Sequence, residues 1–159
     1  MSAIHVGIGE LGVSANREDV IRTFALGSCV AVIAYDTVNK VAGLVHVALP
    51  DAAINPQKAR EKPGHFASSG MPALMDALKQ AAAAQSSLVI KLVGGANIMD
   101  DHNRFDIGRR NVLAIRKHLW KLGLGTIAED IGGNISRTVT VSVATGEVVL
   151  SSAGKQWSL

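Results

Sequence analysis

Of the 159 residues only one, Cys29, is a cysteine, so no internal disulfide can form. That usage fits a reducing compartment and excludes a disulfide-stapled secreted scaffold. Aromatic residues are scarce as well, at three Phe, two Trp and one Tyr. With so few rings, the apolar content must come from Val, Ile, Leu and Ala, which suit layered sheets and helices. Charged residues make up only 18% of the chain, too few for long disordered tails. No apolar run approaches the ~20 residues that cross a bilayer. The uncharged stretch from Thr23 to Tyr35 falls well short, and the N-terminus lacks the basic region of a signal peptide. These absences point to a cytoplasmic protein that does not insert into membranes.

A dense basic patch is also missing. The net charge is +3, and only Arg109-Arg110 and Arg116-Lys117 occur as basic pairs. A nucleic-acid site would show clustered Lys and Arg interleaved with aromatics, so nucleic acid is not the expected partner. A weak preference for acidic protein surfaces fits this mild positive charge. Hydrophobic residues reach 48%, with no repeat or linker, and we expect one domain over residues 1–159.

Periodicity gives a coarse map. Residues 1–13 alternate as a strand loosened by Gly7, Gly9 and Gly12. Strands follow over Val20–Leu26, Val30–Tyr35 and Val41–Leu49, the last two joined by a hairpin loop at Asp36-Thr37-Val38-Asn39. A polar loop from Asp51 to Gly64 leads into a helix over Ser68–Gln85, with Met71, Leu74, Met75 and Leu78 on one face. Leu88–Val93 reads as a buried strand stopped by Gly94-Gly95. After a loop at Asp100–Asp106, a helix over Ile107–Leu122 turns Val112, Ile115, Leu119 and Leu122 inward and ends at Gly123. A strand at Thr126–Glu129, the pair Gly132-Gly133, and a hairpin of Thr138–Val143 with Val148–Ser152 complete the chain. The fold class is therefore α+β: a layered sandwich of mostly antiparallel or mixed sheet, with two main helices packed outside.

Cys29 stands apart from a core cysteine because it follows Gly27-Ser28 at a strand-to-strand junction and opens its strand. Backbone N–H groups near Gly27 and Ser28 can be left free there to bind an oxyanion. The hairpin then brings a histidine toward it. If Tyr35 pairs with Lys40, Cys29 lies opposite His46. If Asp36 pairs with Val41, Cys29 opposes Ala48 and His46 is a diagonal neighbour on the same face. A three-residue loop would place the two on opposite faces. An adjacent imidazolium would stabilise the thiolate as a nucleophile, and the same ring could shuttle protons. Thr23, six residues before the cysteine on the preceding strand, is the candidate to orient the imidazole. Against these readings stand inert packing for Cys29, a satisfied core role for His46 and simple strand propensity for Thr23.

The stretch Thr23-Phe-Ala-Leu-Gly-Ser-Cys29, with Asp36, Gly43 and His46-Val-Ala-Leu-Pro50, resembles the signature of the CheD chemoreceptor glutamine deamidases. So do Gly94-Gly95-Ala96, Ile107-Gly108-Arg109-Arg110-Asn111, Glu129-Asp130-Ile131-Gly132-Gly133-Asn134, Arg137 and Thr145-Gly146, in that order. This resemblance implies a site of Cys29, His46 and Thr23, and a fold similar to that of bacterial glutamine-deamidating toxins. It implies deamidation of glutamines on the cytoplasmic bundle of methyl-accepting chemotaxis receptors, hydrolysis of receptor methyl esters in some members, and a CheC-type phosphatase as partner. Phe66-Ala67-Ser68 stands where the family usually has Tyr-x-Asp, removing a hydroxyl and a carboxylate. The rival readings are a binding module that regulates a CheC-type phosphatase and a redox-sensing thiol.

Other constellations read as structural. Neither glycine pair is followed by the Lys-Ser/Thr of a P-loop, and both are expected as tight turns or close backbone passages. His5, His65, His102 and His118 lack metal-ligand spacing, and Asp100-Asp101-His102 reads as a solvated loop. The proposed chemistry requires neither a metal nor an organic cofactor. Arg109, Arg116 and Lys117 read as a wet helix face that could help dock an acidic helical bundle. Trp157 packs on the domain or frays.

Overall fold

A computed structural model describes residues 2–98 and 105–159. The loop read at Asp100–Asp106 therefore lies mostly outside the described residues, together with Asp100, Asp101 and His102. Among the described residues, ten strands run in chain order: β1 (Ala3–His5), β2 (Leu11–Ser14), β3 (Val20–Leu26), β4 (Val30–Asp36), β5 (Val41–Val47), β6 (Leu88–Gly94), β7 (Thr126–Ile131), β8 (Arg137–Ser142), β9 (Val148–Ser152) and β10 (Lys155–Ser158). Helices α1 (Pro56–Glu61), α2 (Ala67–Gln80) and α3 (Ile107–Lys121) complete the set.

The strands form two five-stranded mixed sheets. One has the order β1-β3-β8-β9-β10 and the other β2-β5-β4-β6-β7. All pairings are antiparallel except β1 with β3 and β6 with β7. The α+β expectation holds, and the two long helices both pack on the second sheet. Its central strands β4 and β5 are buried along their whole length. Alternation sorts their side chains into two cores. Ala31, Ile33, Ala42 and Leu44 face the first sheet, where they meet Ile21, Leu26, Val139, Val141 and Leu150. Val30, Val32, Val45 and Val47 face the helices, where they meet Met71, Leu74 and Leu78 of α2 and Val112, Ile115 and Leu119 of α3. Each of these leucines, fully buried, is worth roughly 1.5–3 kcal/mol of transfer free energy.

Several expectations need correction. The N-terminal stretch is not one strand, because β1 and β2 belong to different sheets. The segment between them must cross the sandwich, and Gly9 takes the left-handed conformation there at φ 79°. The loop at residues 51–64 holds the short helix α1, whose Asn55 cap accepts from the Lys58 N–H at 3.1 Å. The helix expected to run to Gln85 ends at Gln80. Trp157 does not fray: it sits in β10, and its Nε1–H donates to Asp130 Oδ2 at 2.8 Å.

The hairpin joining β4 to β5 is pinned by Asp36, a fully buried carboxylate. Its Oδ1 accepts from the N–H groups of Val38 and Asn39 and from Ser87 Oγ, at 2.9, 3.0 and 2.6 Å. Its Oδ2 accepts from Asn39 Nδ2 and the Ala84 N–H, at 2.8 and 2.7 Å. Burial alone would raise its pKa, but this shell of donors outweighs burial and holds the carboxyl well below the usual carboxylate range. The folded pKa being depressed, its contribution to stability is present above the ordinary carboxylate pKa and is lost only under strong acid. We expect Asp36→Asn to place an amide N–H against the Asn39 and Ala84 donors and to cost on the order of 3 kcal/mol, measured by urea unfolding at neutral pH. A midpoint equal to wild type would remove Asp36 as the hairpin anchor.

Candidate functional site

The observed hairpin register decides between the two sequence alternatives. Asp36 pairs with Val41, Ala31 with His46, and the ladder ends at Val30 with Val47. Cys29 is therefore the first residue beyond the paired strand, and His46 is its diagonal neighbour on the face directed at the other sheet. Cys29 is half-buried and packs against the inter-sheet core. The directly opposed arrangement does not occur.

Thr23 reaches the same layer from the opposite side. It lies in β3 of the first sheet and is fully buried, yet its Oγ1 is 2.7 Å from His46 Nδ1 in the second sheet. That hydroxyl also donates to the Val6 carbonyl at 2.7 Å. A hydroxyl has a single proton, and the Val6 carbonyl receives it, so His46 Nδ1 must be the donor to Oγ1. The neutral ring is thereby held in the Nδ1–H tautomer. Its Nε2 is left with a bare lone pair, buried and without a hydrogen-bond partner among the described residues.

The crossing segment between β1 and β2 clasps this pair from the main chain. The Gly9 N–H donates to the His46 carbonyl at 2.9 Å, and the His46 N–H donates to the Glu10 carbonyl at 3.1 Å. Beside Thr23, β3 carries a bulge between Thr23 and Leu26, with Ala25 in the left-handed region at φ 52°. A non-glycine residue there costs about 1–2 kcal/mol, strain localised one turn before the nucleophile candidate.

The Gly27-Ser28-Cys29 turn is tied down on its carbonyl side. The Gly27 carbonyl accepts from the Ala96 N–H and the Cys29 carbonyl from the Gly95 N–H, both at 2.8 Å. The Ser28 carbonyl accepts from Asn111 Nδ2 at 3.0 Å. Gly94 has φ 114° and lies so near the Cys29 carbonyl oxygen that a Cβ would collide with it. Gly108, in the first turn of α3, likewise has no room for a Cβ beside the Gly95 carbonyl. The Gly94-Gly95 pair is thus the close backbone passage anticipated from sequence, and Gly132-Gly133, with φ 80° and 70°, is a tight turn.

The electrostatics differ from the ion pair expected from sequence. Burial pushes the Cys29 thiol up from its ordinary value, against the opposing pull of its own backbone N–H. Burial, assisted by the nearby His65, pushes His46 down from 6.5 to about 4. Desolvation penalises each charged form, so the resting pair is thiol and neutral imidazole.

Sequence reading gave no role to Asn111 or His65, both placed here by the fold. The His65 carbonyl accepts from the Ala48 and Leu49 N–H groups at 2.9 and 3.0 Å, just past His46. The available signal for Asn111 was its spacing from Gly108, which puts both on one face of α3. Glu129 and Asp130 are structural: Glu129 binds Arg116 at 2.6 Å, and Asp130 binds Arg137 at 2.8 Å. Arg116 is thereby spent inside the molecule, while Arg109 and Lys117 stay on the exposed face. Phe66 is buried, and Ser68 Oγ accepts from the Ala52 N–H at 2.8 Å. Among the described residues, no three His, Cys, Asp or Glu side chains gather as a metal site, and no helix is long and apolar enough to cross a membrane.

Two mixed sheets with helices on one side, a Thr23–His46 hydrogen bond across the layer between them and a half-buried Cys29 against that same layer define a two-sheet α+β protein with a buried hydroxyl–imidazole pair and a single thiol nearby. The chain belongs to the CheD family: residues 48–152 match the model of CheD chemotactic sensory transduction proteins. That match begins past Thr23, Cys29 and His46, which full-length relatives span. The chain is 47% identical to the probable chemoreceptor glutamine deamidase CheD of Syntrophotalea carbinolica, over 100% of both chains. It is 42% identical to the probable chemoreceptor glutamine deamidase CheD 1 of Syntrophus aciditrophicus, covering 97% of this chain and 96% of that one. It is also 40% identical to the chemoreceptor glutamine deamidase CheD of Thermotoga maritima, covering 94% and 91%.

The depressed histidine carries a testable consequence for stability. As pH falls from 6.5 toward 4, the unfolded chain takes up the His46 proton before the folded one does. Stability is therefore fully present above that window and falls by about 3 kcal/mol across it. His65 and His118, both lowered by burial, act in the same direction. Urea unfolding at several pH values should show a shallower acid loss in His46→Gln than in wild type. Equal slopes would contradict a neutral buried His46.

Proposed function

We propose that this protein hydrolyses glutamine side chains of chemoreceptors to glutamate through a thioester on Cys29, the whole chain acting as one catalytic unit. The observation that carries the reading is the Thr23–His46 hydrogen bond, which leaves His46 Nε2 bare on the face it shares with Cys29. The names of the full-length relatives support the substrate and the reaction.

In the first step, His46 Nε2 takes the thiol proton as Cys29 Sγ attacks the glutamine Cδ. Coupling the proton transfer to attack suits a pair that rests uncharged. The developing oxyanion is met by backbone N–H groups at Ser28 and Cys29, on the turn that begins at Gly27. Donors placed on the nucleophile's own turn lie within reach of the oxygen of the carbon it attacks. His46 then returns its proton to the leaving nitrogen, which departs as ammonia. A water that gives a proton to Nε2 attacks the thioester carbon, and collapse restores the thiol and releases glutamate. Thr23 holds the ring, and its Oγ1 accepts from the Nδ1–H of the imidazolium that forms during each transfer. Replacing neutral glutamine by an anion on a helical bundle changes helix–helix repulsion, which is the signalling consequence.

Mass spectrometry of a receptor cytoplasmic fragment, incubated with wild-type protein, Cys29→Ala and His46→Ala, tests this directly. Amide-to-acid conversion with wild type, abolished by Cys29→Ala and slowed about 10²–10⁴-fold by His46→Ala, is the expected result. Identical behaviour of all three on a competent receptor would leave a binding module, examined next with a CheC-type phosphatase. The pH profile supplies a separate check. His46 is a base only while unprotonated, so kcat/KM should hold as pH falls through 6.5 and decline near 4. A decline centred at the ordinary histidine value would point to a solvated, charged ring.

A further inference from the structure

The ladder between β4 and β5 stops at Val30 with Val47, one pair short of the nucleophile. Continued by one step, it would join Cys29 to Ala48. At that point a side chain takes over from the main chain. Asn111, fully buried on α3, donates one carboxamide N–H to the Ser28 carbonyl and the other to the Ala48 carbonyl, both at 3.0 Å. Ser28 directly precedes Cys29, and Ala48 is the second residue after His46. A planar –NH2 group has two donors, and both are used here.

We infer that Asn111 is a positioning residue, an amide clamp that fixes the separation of Cys29 from His46 where the backbone ladder has opened. The inference rests on reading Cys29 and His46 as a reacting pair, and it goes beyond that reading by assigning a part to α3. An open ladder at Cys29 suits catalysis, because a main chain locked into sheet pairing at this residue could not turn an N–H toward an oxyanion. An open end also lets the strands splay, and the clamp opposes this.

Three further observations fit. First, α3 is seated against the site without slack, since Gly108 has no space for a Cβ beside the Gly95 carbonyl. The Gly95 N–H in turn holds the Cys29 carbonyl at 2.8 Å. Second, Asn111 Oδ1 is buried with no hydrogen-bond partner among the described residues. An unpaired buried carbonyl is destabilising, so this amide is a poor choice for packing alone. Third, with both N–H groups engaged, Asn111 has no donor left for an oxyanion or substrate, which separates positioning from direct participation.

The test is a double-mutant cycle on alkylation of Cys29 by iodoacetamide at neutral pH, which needs no receptor. If Nε2 takes the thiol proton during attack, wild type reacts faster than His46→Ala. The clamp predicts that this advantage collapses toward unity in Asn111→Ala, with the urea midpoint showing that the variant is folded. Asn111→Ser, which keeps one donor, should give an intermediate ratio. On a receptor fragment, kcat of Asn111→Ala should fall about 10²-fold with KM unchanged, as expected when reacting groups are misplaced by roughly an ångström. A folded Asn111→Ala with the full wild-type advantage overturns the clamp. So does unfolding of both variants, which would make Asn111 a folding determinant. A wild-type protein inert on receptors, whose His46-dependent alkylation is still lost in Asn111→Ala, sinks the deamidase reading and leaves the clamp standing.

Discussion

A single hydrogen bond between two sheets, from His46 Nδ1 to Thr23 Oγ1, organises the site. The two residues arrive from different sheets, separated by the thickness of the sandwich core. Thr23 spends its proton on Val6 and its lone pair on His46, so one hydroxyl sets both the tautomer and the orientation of the ring. Without that contact the imidazole would be an unpaired polar group in a core of valine and leucine, at a cost of about 1–3 kcal/mol. The fold can bury a histidine here because the opposite sheet supplies its partner.

Burial also decides the charge state. A thiolate–imidazolium pair is what a cysteine beside a histidine suggests when only residue types are known. In this molecule the inter-sheet layer desolvates both groups, and each is pushed toward its neutral form. Under the proposed mechanism, a thiol held this way keeps its proton until a substrate carbonyl arrives. Such a thiol should be a slow target for oxidants compared with an exposed thiolate, which weighs against the redox-sensor alternative. Around the pair, glycines at 94 and 108 let backbone come close, and polar contacts to the Gly27, Ser28 and Cys29 carbonyls hold the turn rigid.

Local pattern was a good guide wherever one segment determines its own structure. The β4 and β5 strands, the α3 helix with Gly123 beyond it, and the β8–β9 hairpin all fall close to where alternation and turn residues put them. The pattern was a poor guide where a neighbour decides. Alternation over residues 1–13 could not show that β1 and β2 join different sheets, because both halves alternate equally well. Lys155–Ser158 forms a strand only because β9 is there to pair with it. Asp36 looked like a loop residue, and its five donors come partly from Ala84 and Ser87, about fifty positions away.

The same division runs through the site. Sequence alone put Cys29 at the mouth of an apolar strand after Gly27-Ser28 and, for a four-residue turn, His46 on the same face. Those facts follow from strand periodicity, and the ordered motifs around them were enough to indicate the family. Only the tertiary structure decided which of two registers holds, that Thr23 faces His46 across the core, that the pair rests uncharged, and that Asn111 closes the gap where the ladder ends. Each of these depends on contacts between segments far apart in the chain, and on the low dielectric those contacts create. Neither is encoded in the spacing of neighbouring residues.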